Sequence, residues 1–323
     1  MYNETSLSAA VSITDKNAEY NEYAKRILSE KIILAHILVQ AVPEFEYMTP
    51  EEAVALIEGK PEVSGIPVNP GETNMPHIRG VDTNDTVPHE GTVTFDIRFD
   101  VNYPKGKETI KLLIGIEAQK KYNPGYDIVT RGIFYGARMI SSQLETEFHN
   151  SDYDNVKKVY SIWICMNVPQ YAENTITAYE IKKRNIVGEF PEGKTRYDLL
   201  SVIVICLSQK LADESNELKL HRLLGTLFSS QLEVEEKKAI LTDEYHIPMN
   251  EELERSVNSM CNLAEGIAEE AEKIGVEKGK EIGERKGGVL ALNKVGFSVE
   301  KIAEELNIPI QEVKDILEIS YDS

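Results

Sequence analysis

The sequence predicts an α/β fold of the α+β kind, in which helices flank one mixed sheet and a helical extension follows. Two changes of period and one long helical tail lead there. Apolar residues recur near helical spacing over residues 18–42, alternate with period two over 92–119, and return in three strand-like runs between 159 and 207. From about residue 209 onward the pattern is helical. Helix, strands, helix, strands is the order of a sheet with helices packed upon it.

Residues 18–42 read as one amphipathic helix, with Ile27, Leu34, Leu38 and Val42 near one face and Pro43 as its stop. Residues 43–91 carry Pro61, Pro67, Pro70, Pro76 and Pro88, and read as a short helix near 50–58 followed by extended and looping chain. In Thr92 to Phe99, Val93, Phe95, Ile97 and Phe99 share one face, while Thr92, Thr94, Asp96 and Arg98 share the other. After a turn at Pro104 to Lys107, the run Ile110 to Gln119 places Ile110, Leu112, Ile114, Ile116 and Ala118 on an apolar face. Lys111, Glu117 and Gln119 point the other way. Two period-two runs joined by a turn predict a hairpin. Pro124 and Gly125 introduce a helix over about 126–147. Val159 to Asn167, Thr175 to Ile181 and Leu199 to Leu207 read as strands, the last buried on both faces.

A chain of 323 residues has room for about two domains at roughly 150 residues each. The expected division is a core over 1–210, a helical extension with a charged, glycine-containing helix over 211–288, and a tail over 289–323. Within 251–286 stand ten acidic and six basic residues, with Gly275, Gly279, Gly283 and Gly287 every fourth position. That spacing admits close approach of another helix, so a second copy of the chain is one expected partner. A charged tether of weak helicity is the other reading, since each glycine costs about 1 kcal/mol relative to Ala.

The composition, 41% hydrophobic and 28% charged, is that of an ordinary globular chain. The formal charge of −19 argues against a surface that tracks nucleic acid throughout, although a local basic cleft stays open. Cys165, Cys206 and Cys261 are far apart in sequence and show no C-x-x-C spacing, so zinc is not expected and a reducing compartment is. The opening residues lack a secretory pattern, and the apolar runs at 32–42 and 202–207 are shorter than the roughly 20 residues of a membrane helix. No membrane partner and a cytoplasmic location are therefore expected.

Asp96 on one strand and Glu117 with Gln119 on its neighbour gather two carboxylates and an amide beside one surface. Paired carboxylates suit a hard cation such as Mg²⁺, with Mn²⁺ as a substitute; such an ion can polarise a phosphodiester and acidify water. Solvent-facing polar residues on a half-exposed sheet would give the same pattern. Two features weigh toward chemistry. Glu117 lies in an otherwise apolar strand, where an unpaired carboxylate is costly. Residues 105–138 also carry seven basic and three acidic residues, the reverse of the whole chain. The six histidines are scattered, with no pair at ligand spacing, and His36 reads as a core residue.

EGTVTFDIRF (90–99), KLLIGIEAQKKYNPGYDIVTRGIFYGARMISSQ (111–143) and VKKVYSIWICMN (156–167), with ILAHIL in the first helix, together resemble the PD-(D/E)XK nuclease family transposases. These are related to recombination-promoting nucleases of bacteria, and the resemblance spans about residues 18–210. It implies a restriction-endonuclease-like core with a central mixed sheet. It also implies DNA as partner, hydrolysis of phosphodiester bonds, and a link to mobile elements or recombination. By that resemblance Asp96 and Glu117 hold Mg²⁺ with the Ala118 carbonyl, and Gln119 positions water. Gln119 stands where the wider superfamily has Lys; this branch commonly carries Gln there, which removes a cation from the site. Lys120, Lys121, Arg131, Tyr135 and Arg138 are candidate DNA contacts, the last three spaced i, i+4, i+7 on one helix face. Ordinary surface roles are the alternative for these, as a solvated position is for Glu30, an accessory-acid candidate. Gln143, Asp82 and Asp85 are nearby polar residues that nothing in the spacing singles out.

Residues 289–318 resemble a small helix-turn-helix unit, with helices over 299–305 and 309–317 and Ile302, Ala303, Leu306, Val313, Ile316 and Leu317 packing together. Residues 291–323 hold three lysines against seven acids, so protein contact or capping is expected of this tail rather than DNA readout. The alternative to a nuclease is a catalytically weak or inactive protein of the same fold, acting in DNA binding or assembly.

Overall fold

A computed structural model describes residues 6–59, 61–63, 84–87, 91–94, 96–105, 108–122, 124–191, 193–229 and 231–321. Asp82, His77, His89, Phe95 and Lys107 lie outside the described residues, as do the side chains of Asp85, Val93, Lys105, Lys120 and Lys121. The chain forms two compact units, one of residues 18–263 and one of residues 1–17 with 264–323. The expected division at 210 does not coincide with this one.

In the larger unit, helix α1 (Ser6–Leu28, of which the part from Ala18 belongs here) is followed by α2 (Lys31–Ala41). The single helix expected over 18–42 is thus broken at Ser29 and Glu30. The Ser29 hydroxyl donates to the Arg26 carbonyl at 2.7 Å, and Glu30 leaves helical backbone with ψ at 125°. A serine that bonds a helical carbonyl offers the chain an alternative to continuing the helix. Pro43 then ends α2, and α3 (Pro50–Val54) begins with a capping box between Thr49 and Glu52.

Strands β1 (Glu62–Val63), β4 (Ile97–Lys105), β5 (Glu108–Lys121), β6 (Lys158–Asn167), β7 (Thr175–Glu180) and β8 (Leu200–Cys206) form one mixed sheet. Their order is β1-β4-β5-β6-β8-β7. The expected hairpin is β4 against β5, antiparallel, with Ile97 opposite Ile116. Strands β5, β6 and β8 run parallel, and β7 returns antiparallel on the far edge. The strand expected over 92–99 is two strands. Strand β3 (Gly91–Thr94) pairs with β2 (Asn84–Val87) in a separate hairpin, and β4 begins only at Ile97. Asp96, between them, sits in a bend.

Helix α4 (Ile128–Ser141), capped by the Asp127 carboxylate on the Thr130 N–H at 2.8 Å, lies over one sheet face. Leu113, Tyr135, Met139, Trp163, Val202 and Val204 make its core there. Gly132 and Gly136 let it approach: a Cβ on Gly132 would stand 2.6 Å from Val202 Cγ1, and one on Gly136 would overlap Leu200. The opposite face carries Ile97, Phe99, Ile114, Ile116, Ile162, Ile203 and Ile205, all buried. The segment after α2 reaches it, with Phe45 edge-on to Tyr103 and Glu44 bonded to Tyr160. Helices α5 (Lys219–Phe228) and α6 (Val234–Ala239) belong to this unit, as does the first part of α7 (Glu251–Lys294).

The smaller unit contains the rest of α7 with α8 (Val299–Leu306) and α9 (Ile310–Tyr321). Ile302, Ala303, Val313 and Leu317 pack with Leu306 and Ile316 as expected, and Val289 of α7 completes the cluster. Ser298 caps α8 and Asn307 closes it in the left-handed region, φ 50°. Among the described residues nothing lies within 4 Å of where a Cβ would stand on Gly275, Gly279, Gly283 or Gly287. No helix among the described residues is long and apolar enough to cross a membrane.

Candidate active site

Asp96 and Glu117 come together because Asp96 abandons the ladder. Its N–H donates to Glu117 Oε1 at 2.9 Å, and its own Oδ2 accepts the Ala118 N–H at 3.1 Å. These two bonds replace the backbone pairing that would have extended β4, which is why the strand starts one residue later. They also fix both carboxylates on one face, beside each other. The register carries that face across the sheet: Glu117 neighbours Trp163, which neighbours Val204, and Gln119 neighbours Cys165, which neighbours Cys206. Cys165 and Cys206, remote in sequence, are therefore buried neighbours on parallel strands, and both are free thiols.

Glu117 is 6% exposed. Burial, and then the charge of Asp96, push its carboxyl well above the usual carboxylate range, against the Asp96 N–H and the charges of Arg131 and Lys25. A carboxyl whose ionisation is opposed by burial and by a neighbouring acid gains from a nearby cation. Among the described residues no three His, Cys, Asp or Glu side chains gather as a ready-made metal cluster. A divalent ion would take the two carboxylates and complete its shell with water, as Mg²⁺ commonly does. The Ala118 N–H points toward Asp96, and a strand residue's carbonyl lies on the same side as its N–H, so the Ala118 carbonyl faces the same approach. The donor set, all oxygen, fits a hard cation.

Two residues that the sequence does not single out complete the surroundings. Lys25, in the last turn of α1, brings Nζ to 3.2 Å from Asp96 Oδ1 and 3.5 Å from Glu22 Oε1. Burial works against its charge, but Asp96 and Glu22 leave its pKa above the ordinary value. An i, i+3 Glu–Lys pair is common on any helix, so nothing in the sequence could mark this one. Glu30, by contrast, takes the N-cap position of α2.

The helix-face candidates separate. The Arg131 guanidinium bonds Tyr126 and, at 2.6 Å, Tyr135, and stacks within about 5.5 Å of the Tyr126, Tyr135 and Trp163 rings. It is half-buried at the side of Glu117. Tyr135 is 8% exposed and Arg138 only 3%. The face that carries them turns toward the sheet, because the apolar residues of α4 share it, so Arg138 departs from the expected phosphate contact. Gln143 is also buried, bonding Lys157 through both backbone groups at 2.7 and 3.0 Å, a structural role. His36 lies in the core against Tyr245, its pKa lowered to about 4 mainly by burial.

Comparison of the chain with family models, curated proteins and solved structures returned no match.

Proposed function

We propose that this chain is a Mg²⁺-dependent DNA endonuclease of the PD-(D/E)XK type, acting in recombination or on mobile elements. The observation that carries the reading is the cross-braced pair, Asp96 on Glu117 at 2.9 Å and Ala118 on Asp96 at 3.1 Å. It holds two carboxylates together at a cost that a dication would offset. When bound, the ion supplies Lewis acidity toward the phosphodiester and its attacking water. Asp96 and Glu117 would hold it, Ala118 would offer a carbonyl, and Gln119, two residues along the same strand face, would orient water without adding charge. Arg131, kept rigid by its three rings, stands where a phosphate flanking the site would pass. Lys120 and Lys121 extend the basic run of β5.

The test is plasmid cleavage with Mg²⁺ by the parent, Asp96→Ala and Glu117→Ala. Both variants should fold, melt near or above the parent in EDTA, and lose cleavage. Equal cutting by all three proteins would remove these carboxylates from the mechanism.

A second reading, an assembly protein on the same fold, has its own support. Strand β7 is a sheet edge, and Ile186, Val187 and Phe190 just beyond it are 82%, 94% and 67% exposed. Self-association through this edge or through the glycine-spaced α7 would give a mass by light scattering above the 36.4 kDa chain; a monomer at high concentration would count against it.

A further inference from the structure

Position 119 leaves the site short of a cation, and the chain offers one from elsewhere. Lys111 is engaged by Asp100 at 2.8 Å and by Glu147, and Lys158 by Asp198 at 2.8 Å and Glu44 at 3.3 Å. Arg131 is held in its aromatic cluster. Among the described residues, the ammonium in ion-pair contact with the carboxylate pair is that of Lys25, whose side chain is only 16% exposed. It arrives from a helix far from Gln119 in sequence, yet reaches the outward oxygen of Asp96, whose other oxygen is braced by Ala118.

We propose that Lys25 supplies the positive charge that Gln119 lacks, and that Glu22 is the residue that positions it. The inference rests on the nuclease reading above. With a dication held by Asp96, the ammonium would leave Oδ1, and the long flexible stem of lysine would let Nζ move without moving the helix. Glu22 keeps it close. Its Oε1 already contacts Lys25, and its Oε2 is buried with no hydrogen-bond partner among the described residues, leaving an acceptor for the displaced ammonium. From there Lys25 would face the non-bridging oxygens of a bound phosphate.

The step is hydrolysis. The oxygen of water bonds to phosphorus, the bond from phosphorus to the leaving sugar oxygen breaks, and the proton lost by water reaches that oxygen through solvent. Lys25 stays charged throughout. Its contribution is to oppose the negative charge that builds on the phosphoryl oxygens, which a neutral amide at 119 does not do.

The full-length chain is compared as parent, Lys25→Met, Lys25→Arg, Gln119→Lys and the double variant K25M/Q119K. Two quantities are measured: Mn²⁺ affinity by calorimetry without DNA, and the single-turnover rate of plasmid cleavage with Mg²⁺. Lys25→Met should bind Mn²⁺ at least as tightly as the parent, because a competing cation has gone, yet cleave roughly 100-fold more slowly. Lys25→Arg should keep part of the rate, and Q119K should restore most of it in the K25M background. A structural role would not be rescued by a lysine on a different element. Lys25→Met that binds Mn²⁺ more tightly and cuts at the parental rate would make Lys25 a mere counter-ion and overturn the proposal. So would a slow K25M that Q119K leaves unrescued. If K25M fails to fold, Lys25→Gln carries the same expectations. A parent that binds Mn²⁺ but never cuts sinks the nuclease reading itself, an outcome separate from loss on substitution.

Discussion

In the proposed site Glu117 is the carboxylate with the most perturbed environment, and that environment gives a test that needs no DNA. Its pKa in the folded chain is raised above the ordinary 4.5 by burial and by Asp96. A group with a raised folded pKa stabilises the fold fully below its unfolded pKa and loses that contribution as pH rises through the folded value. In EDTA the parent should therefore lose melting temperature as pH rises above 4.5, and Glu117→Gln should remove that part of the slope. Mg²⁺ at neutral pH should raise the melting temperature of the parent and do little for Glu117→Gln. A parent and variant with parallel pH profiles would contradict the account. The pair itself was legible in the sequence, because a lone carboxylate inside an apolar strand asks for a partner. Lys25 and Glu22 were not: the contact joins residues 71 positions apart, as the numbering of Lys25 and Asp96 shows, and no local pattern reports it.

Among the elements, α4 is the one whose placement decides the site, since it brings Arg131 beside Glu117. Two glycines set its distance from the sheet. Replacing Gly132 with Ala gains about 1 kcal/mol of helix propensity, but the new Cβ would meet Val202 at 2.6 Å and the Trp163 indole nitrogen at 2.9 Å. Overpacking of this kind costs about 1–3 kcal/mol, so the clash wins and denaturant melts should show net destabilisation. Gly279→Ala, with nothing within 4 Å, should instead stabilise by about 0.5–1 kcal/mol. If both substitutions shift stability in the same direction, the packing described for α4 is wrong. The strands and the tail helices were legible to within a few residues because their periods are strong. The breaks at Ser29–Glu30 and at Asp96 were not, because each depends on a side chain taking a backbone partner. Arg138 shows the same limit: i, i+4, i+7 spacing defines a face but does not say which way it points.

For the whole molecule, if the chain cuts DNA as proposed, a formal charge of −19 opposes broad contact with a polyanion, so binding should rest on few phosphate contacts. Each contributes a slope of about −0.9 in log affinity against log salt. Arg131→Gln should flatten the measured slope by about one such unit while leaving Mn²⁺ affinity near the parental value. An unchanged slope would place Arg131 in packing alone. The first part of α7 is part of the larger unit, with Leu253, Val257 and Met260 fully buried. A truncation meant to probe self-association must therefore keep the chain through residue 263.

Supercoiled-plasmid cleavage by the purified chain, run in parallel with Mg²⁺, Mn²⁺, Ca²⁺ and EDTA, tests the proposed carboxylate site. A nuclease with this carboxylate site nicks and linearises the plasmid with Mg²⁺ and Mn²⁺, EDTA abolishes that cutting, and Asp96→Ala does not show it. Intact plasmid in every lane, with a folded parent protein, would contradict it.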